Sequence, residues 1–315
     1  MRYTGELVSD SRRDTNNSDY TDVSGIPTKD FVRFLNYAQS RIFSLILNEH
    51  PNTYSFEKEI SIIAGQQDYS IPDNVHLGER ISLVEYSLTG LSQDYHRLPE
   101  QGILMKRNYP NDRPASYLRR NGLISLQPPP TSSQGKIRVT YERGMDSLDI
   151  RRGKISASTV SGGGVLSALT LDTSSVLSID QNDLIAAEYL CVNDRNGNPL
   201  AYNIPVNGYN TGTGVVTLVG TPTLQSGESV PVGAYVTIGK YTTTHSKLNN
   251  ICERYLIEYC NQVIFSKDAA TASKASSLAR RLLDIEAEII ASYQVPDKDA
   301  KEIQITNSSL ILEGD

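Results

Sequence analysis

The stretch from Pro114 to Glu142, PASYLRRNGLISLQPPPTSSQGKIRVTYE, limits the fold more than any other part of the chain. Leu123–Gln127 is a short apolar run, opened by Asn121-Gly122 and closed by Pro128, Pro129 and Pro130. Ile137, Val139 and Tyr141 then alternate with Lys136, Arg138, Thr140 and Glu142. A period of two predicts a half-buried strand with one wet face. The unit therefore reads as two strands joined by a proline-rich corner.

Elements on both sides fit around this unit. Pro27-Thr28 opens a helix, with Thr28 as N-cap and Asp30 in its first turn. Phe31, Phe34, Leu35, Ala38, Ile42, Leu45 and Ile46 then recur at spacings of three and four, which gives one apolar stripe. His50-Pro51 ends it. Phe56, Lys58, Ile60 and Ile62 alternate with Glu57, Glu59 and Ser61, and turns are expected at Gly65–Asp68 and Ile71–Asn74. Ile81, Leu83 and Val84 continue the sheet. Near the far end, Leu248, Ile251, Cys252, Tyr255, Leu256, Tyr259, Val263 and Ile264 share a helical face, capped by Thr244 or Ser246. A last helix is expected from about Ala270 to Tyr293, with small early residues and Leu282, Leu283, Ile289 and Ile290 later. Phe31, Leu35, Ile42, Leu256 and Leu283 are the expected core of these helices.

Between the sheet and the last two helices the composition changes. Ile155–Ile238 is rich in Gly, Ser, Thr, Val and Leu. Short apolar runs (Val165–Leu171, Leu184–Val192, Val215–Val219, Ala234–Ile238) alternate with turn chemistry such as Asn196-Gly197 and Gly208-Tyr209-Asn210. The expected class is α+β: a helical bundle core of one N-terminal and two C-terminal helices, a β-sheet region, and an inserted all-β barrel or sandwich. The expected boundaries are a flexible N-terminal arm over 1–25, a core made of 26–155 with 236–297, the insertion at 156–235, and a tail at 298–315. Ile303, Ile305, Leu310, Ile311 and Leu312 alternate along that tail, which suits either a strand offered to a partner or a return to the chain's own sheet.

Net charge is −6, so a general nucleic-acid footprint is absent. The charge is also unevenly placed. Residues 97–154 carry twelve basic and five acidic side chains, whereas 157–235 carry six acids against Arg195 alone. Complementary patches of this kind can set register between identical subunits, or they are two independently solvated surfaces. On the first reading the contact candidates are Arg119, Arg120, Arg151 and Arg152 with Asp180 and Asp183. Tyr outnumbers Phe by 18 to 5, which suits either half-buried contact surfaces or simple strand filling.

Little points to chemistry. The three cysteines argue against a disulfide framework. Cys252 and Cys260 on one helix would lie about 12 Å apart, beyond bonding reach. The four histidines lack metal-ligand spacing, and Gly162-Gly163-Gly164 is not followed by the Lys of a phosphate loop. Asp194-Arg195-Asn196-Gly197-Asn198-Pro199 begins like a calcium loop, but Pro199 stands where that loop needs glycine, so a hairpin turn is the better account. Glu286 and Glu288 read as a solvated helix face. No catalytic, cofactor or metal residue is assigned. The first residues carry no apolar signal core, and no apolar run reaches membrane-spanning length, so production in a cytoplasm is expected.

The order of these segments resembles the podovirus-type head-to-tail adaptor proteins of tailed bacteriophages, the tail tubular protein A-like neck rings. The stretches that carry the likeness are Phe31–Glu49, Gly65–Pro72, Tyr117–Pro130, Ile137–Tyr141 and Leu248–Tyr293. The insertion departs from the compact members. The resemblance implies a structural virion protein and not an enzyme. It implies a ring of this chain, expected to be a dodecamer, below the portal protein and above a downstream tail or ring protein. DNA would pass through it without sequence-specific binding. It also implies that Ile303–Leu312 docks on the portal and that the insertion faces outward, toward fibres or the next ring. Alternatives are a fibre or receptor-binding adaptor that uses the insertion, and a tail-associated hydrolase.

Overall fold

The computed structural model describes residues 2–16, 25–49, 54–76, 80–91, 93–102, 113–225, 227–267 and 269–293. The expected tail at 298–315, with Ile303, Ile305, Leu310, Ile311 and Leu312, lies outside them. The architecture mixes helices with four sheets, one of which closes into a barrel.

The first element is a correction. Thr4–Asp14, expected to be a flexible arm, is a helix (α1). Its polar sequence hides a short apolar face: Leu7 is fully buried and Val8 nearly so, and Ser11 donates to Asn261 Oδ1 at 2.5 Å. A stripe of two residues is too short to register as amphipathic periodicity. Thr28–Glu49 (α2) follows, and Phe31, Leu35 and Ile42 are fully buried along it.

The expected strand unit forms, but it is shared between two sheets. Ser55–Ser61 (β1), Asp68–Ser70 (β2), Ile81–Ser87 (β3), His96–Arg97 (β4), Ser116–Arg120 (β5), Leu123–Gln127 (β6) and Lys136–Glu142 (β7) make one sheet ordered β1-β7-β3-β4 and another ordered β2-β6-β5. Asn121 and Gly122 (φ 50° and 73°) supply the two left-handed residues of a tight β5–β6 hairpin, with Arg120 opposite Leu123. The proline corner carries the chain from the second sheet to the first. Ile137, Val139 and Tyr141 face a core shared with Val84, Tyr86, Ile124 and Leu126.

After Ser147–Leu148 (β8) come Gly153–Val160 (β9), Leu166–Leu171 (β10), helix Ser178–Ile185 (α3), Tyr189–Asn193 (β11), Pro199–Tyr209 (β12), Val215–Leu218 (β13) and Tyr235–Ile238 (β14). These six strands close as β10-β13-β12-β11-β14-β9 around Ile155, Leu169, Leu190, Ala201, Val216 and Val236. The barrel is therefore the outcome of the barrel-or-sandwich expectation. Two elements inside it were not expected. The apolar run at Leu184–Val192 is split between α3 and β11, and β12 lies between turn signals that did not mark it as a strand.

Thr242–Thr243 (β15), Asn250–Phe265 (α4) and Ala272–Tyr293 (α5) complete the fold. Asn249 caps α4 by accepting from Cys252 N–H at 2.9 Å, not Thr244 or Ser246, which serve elsewhere. One apolar cluster joins α1, α2, α4 and α5 through Leu7, Leu35, Ile42, Tyr255, Leu256 and Ile289. The Tyr255 hydroxyl donates to Glu286 Oε1 at 2.5 Å, and Arg41 Nε reaches the same oxygen at 2.8 Å. Burial first, and then Glu286, push the Tyr255 hydroxyl above its ordinary range.

Leu283, expected in this core, is 59% exposed; Leu282 at 6% and Ile285 at 3% take that place. Two adjacent leucines cannot both face inward on a helix, and the i, i+3, i+7 set Leu282, Ile285, Ile289 is the one that closes. Leu282→Ala is therefore expected to lower unfolding free energy by about 2–5 kcal/mol, and Leu283→Ala to stay within about 0.5 kcal/mol. Denaturant titration of the two variants measures this, and equal losses would place Leu283 in the core.

Candidate functional site

The barrel joins the rest of the chain through two crossings that run side by side. β8 on the way in and β15 on the way out pair in parallel, Thr242 with Ser147 and Thr243 with Leu148. The Asn36 side chain of α2 treats Leu148 as a strand neighbour would: it accepts from Leu148 N–H at 2.7 Å and donates to Leu148 C=O at 2.9 Å. Gln39, one turn on, donates to Asp146 C=O at 2.9 Å. The two crossings are thus bonded to each other, and the inward one to α2.

Arg152 sits where the inward crossing enters the barrel. It is 7% exposed and holds three carboxylates: Asp149 at 2.7 Å, Asp180 at 2.8 Å and Asp183 at 3.0 Å. Asp149 Oδ2 also accepts from Ile238 N–H of β14 at 2.9 Å. Burial opposes the guanidinium charge, yet Asp149, Asp180 and Asp183 outweigh it and hold Arg152 above its ordinary range. Burial lifts the Asp180 carboxyl in spite of Arg152, and its Oδ2 has no hydrogen-bond partner among the described residues.

A second cluster joins the segment before β8 to β12. Arg143 donates to Asp146 Oδ1 at 2.6 Å and to the Tyr202 hydroxyl of β12 at 3.0 Å. Tyr202 donates to Asp146 Oδ2 at 2.8 Å, and Lys247 reaches that oxygen at 3.1 Å. The Arg143 guanidinium lies over the rings of Phe56, Tyr202 and Tyr241. Burial and then Asp146 raise the Tyr202 hydroxyl, so it stays a donor near neutral pH.

The Asp194–Asn198 hairpin packs on the outward crossing. Asp194 accepts from Asn196 and Asn198 N–H at 2.8 Å each, a self-contained turn and not a cation loop. Gly197 (φ 80°) rests on the His245 ring: a Cβ there would come within 2.4 Å of Nδ1. Thr243 donates to Gly197 C=O at 2.7 Å. Tyr3 lies against the same imidazole, and Thr4 N–H donates to Thr244 C=O at 2.9 Å, so α1 is fastened to the outward crossing.

The predicted contact residues divide accordingly. Arg152 and Asp180 are buried partners within one chain, and Arg151 lies between the Tyr3 and Tyr235 rings at 4.4 Å from each. Arg119 pairs with Glu100 at 2.8 Å, while Arg120 is about half exposed near Asp68. Asp183 keeps 43% of its side chain exposed. Part of the charge asymmetry is therefore satisfied inside a single subunit. Sequence spacing missed Asn36, Asp146, Asp149 and Tyr202, because their role comes only from elements brought together in space.

No group of three or more His, Cys, Asp or Glu among the described residues could hold a metal ion. Cys191, Cys252 and Cys260 are buried and unbonded to one another, and burial pushes the Cys260 thiol up to about 12. Glu286, one of the two helical carboxylates, is committed to Tyr255 and Arg41. No helix of the described residues is long and apolar enough to cross a membrane.

Removing the Arg152 charge leaves buried carboxylates uncompensated. Arg152→Met is expected to cost about 3–5 kcal/mol, and Arg120→Ala at most about 0.5 kcal/mol. Thermal or denaturant unfolding gives the comparison; a neutral Arg152→Met would show that the joint does not need the ion. The histidines set a pH dependence. Burial holds both His76 and His245 below their ordinary range. The unfolded chain protonates them first, near pH 6.5, so stability falls as pH drops below that point. The melting temperature should fall from pH 7.5 to pH 5.5, and the His76→Gln/His245→Gln chain should show a shallower slope. Parallel slopes would contradict this.

Residues 1–152 match the family model described as the SU10 adaptor protein. That span takes in α1, α2, both open sheets and β8, and it ends at Arg152, the residue before β9. No curated protein matches the chain. The match supports a structural adaptor protein of a bacteriophage and a place in the virion, with the barrel lying beyond the matched span.

Proposed function

We propose that this chain is a head-to-tail adaptor: a ring subunit that joins the capsid vertex to the tail and encloses the path of the DNA. The observation that carries the reading is the adaptor match over 1–152, whose end coincides with the start of the barrel. Under this reading the protein binds the portal above and a tail or ring protein below, and it catalyses nothing. The helices α2, α4 and α5, with α1, form the bundle core. The narrower likeness to tail tubular protein A-like connectors, and a copy number of twelve, belong to the same proposal. Net acidity suits a channel that lets DNA slide, because phosphate neutralisation by Lys and Arg strengthens binding.

Ring closure needs two different complementary surfaces on each subunit. Arg119, Arg120 and the exposed part of Asp183 are the charge candidates left for that contact. The barrel projects outward toward fibres or the next ring. Ile303, Ile305, Leu310, Ile311 and Leu312 form the segment that docks on the portal.

Co-sedimentation with the portal protein of the same phage tests the reading. The full chain should bind, and a chain lacking Lys298–Asp315 should fold but lose binding at least about tenfold, which corresponds to about 1.4 kcal/mol. Unchanged binding would remove the tail from the contact. Absence of any portal binding by the full chain would favour a fibre adaptor.

A further inference from the structure

Two exposed surfaces of the described residues are built without charged side chains. The first is the end of the open sheets at the proline corner. Ser61 of β1 and Ser87 of β3 both stand opposite Lys136, the first residue of β7. The loops after β1 and β3 therefore leave the sheet on either side of the corner. Residues 62–67 (IIAGQQ), 87–93 (SLTGLSQ) and 128–135 (PPPTSSQG) hold no Asp, Glu, Lys or Arg. Ile63 is 56% exposed there and Leu91 64%. The loops are tied to one another. Ala64 N–H donates to Ser133 Oγ at 2.8 Å, and Gly65 N–H to Pro130 C=O at 2.7 Å. Gly90 N–H donates to Ser87 Oγ at 2.8 Å, and a Cβ at Gly135 would meet Ser87 C=O at 2.5 Å. Ile63 and Leu91 thus stand on a fixed tip, and little ordering is left to do on binding.

The second surface is the outer side of β9, β10 and β13. Leu169 and Val216 are paired and buried in the barrel core, so their strand neighbours face outward. Thr170 stands between Ala157 and Val215, and Ala168 beside Thr159. Ala157, Thr159, Ala168 and Thr217 are exposed, and Val215 and Val219 are 45% and 53% exposed. No charged residue occurs in 155–171 or in 196–227. The result is a strand face of small and β-branched side chains.

A soluble surface carries charge at about a quarter to a third of its positions. Depletion of charge over a whole patch is the mark of the centre of a protein contact. Neither patch suits DNA, because phosphate binding needs Lys or Arg. A charged partner would lose hydration on either patch with nothing to replace it. Each patch therefore fits an uncharged partner, and the chain carries one for the other. They also differ in form, one a loop tip with two bulky side chains and the other a strand face. Two different surfaces that fit each other are what a closed ring of one subunit needs.

We infer that the loop tip around Ile63 and Leu91 of one copy packs on the outer β9–β10–β13 face of the next copy. The inference rests on the proposed ring and deepens it. Neutral packing closes the ring, and Arg119, Arg120 and the exposed part of Asp183 are left to the rim of the contact. One wall of the barrel then faces the neighbouring subunit while the barrel projects outward.

Cross-linking between full-length copies tests this, because Cys191, Cys252 and Cys260 are buried and give little background. Ile63→Cys and Val215→Cys chains are mixed in equal amounts with the portal protein of the same phage and treated with a short bismaleimide. The mixture should give a dimer that joins positions 63 and 215, identified by peptide mass. The Ile63→Cys/Val215→Cys chain should give a ladder of higher multimers. Native mass spectrometry of the same samples reads ring formation separately. A ring whose links join only like positions, or a ring with no link, overturns the inference and leaves the proposed function intact. No ring from the unaltered chain overturns both. Charge insertion gives a second reading. Ile63→Lys or Val215→Glu alone should weaken ring formation at least about tenfold with the melting temperature unchanged, and the two changes in one chain should recover most of it. Rings that neither single change weakens, or that the paired change does not recover, contradict the contact. Weakening by Ile63→Lys alone, with Val215→Glu without effect, would give the tip to another protein and overturn its place on the barrel.

Discussion

One guanidinium decides how the barrel is carried. Arg152 lies at the mouth of the barrel among Asp149, Asp180 and Asp183, and Asp149 also holds the backbone of β14. Taking these charges out of water is costly, so their attraction is weak support for stability. Breaking the set is a different matter, because it strands buried carboxylates. The ion therefore works mainly as a geometric lock between α3, the inward crossing and β14. Asn36 and the β8–β15 pair extend that lock to α2, and His245 under Gly197 extends it to the barrel's own hairpin.

This constraint changes the meaning of the charge pattern. A basic segment next to an acidic one reads as two surfaces that meet between subunits, or as two surfaces solvated independently. In the folded chain Arg143 and Arg152 are turned inward, and the acidic segment supplies Asp180, Asp183 and the Tyr202 hydroxyl to them. Other charges of the two segments stay at the surface, among them Arg97, Arg120, Lys154, the rim of Asp183 and Glu188. On the proposed adaptor reading, such a joint would hold the barrel in a fixed position on its subunit.

Legibility in the sequence followed periodicity. The long stripe of α2, the alternation of β7 and the Asn121-Gly122 hairpin were readable because local pattern and burial agree there. The helix α1 was not, since its packing rests on Leu7, Val8 and the Ser11–Asn261 bond inside a polar stretch. Choosing between Leu282 and Leu283 required knowing which face α4 presents. The joint was the least legible part. Its members come from 36, 143–152, 180–183, 202 and 237–247, and no spacing rule links them. The adaptor likeness was readable from the order of segments, and the matched span of 1–152 supports its coarser form.

Because the account makes the chain a connector, subunit number bears on it most directly. Native mass spectrometry of the chain mixed with the portal protein of the same phage would count copies in the assembly. The account predicts a closed ring on the portal, with twelve adaptor copies. A stable trimer, or a monomer that ignores the portal, would contradict it.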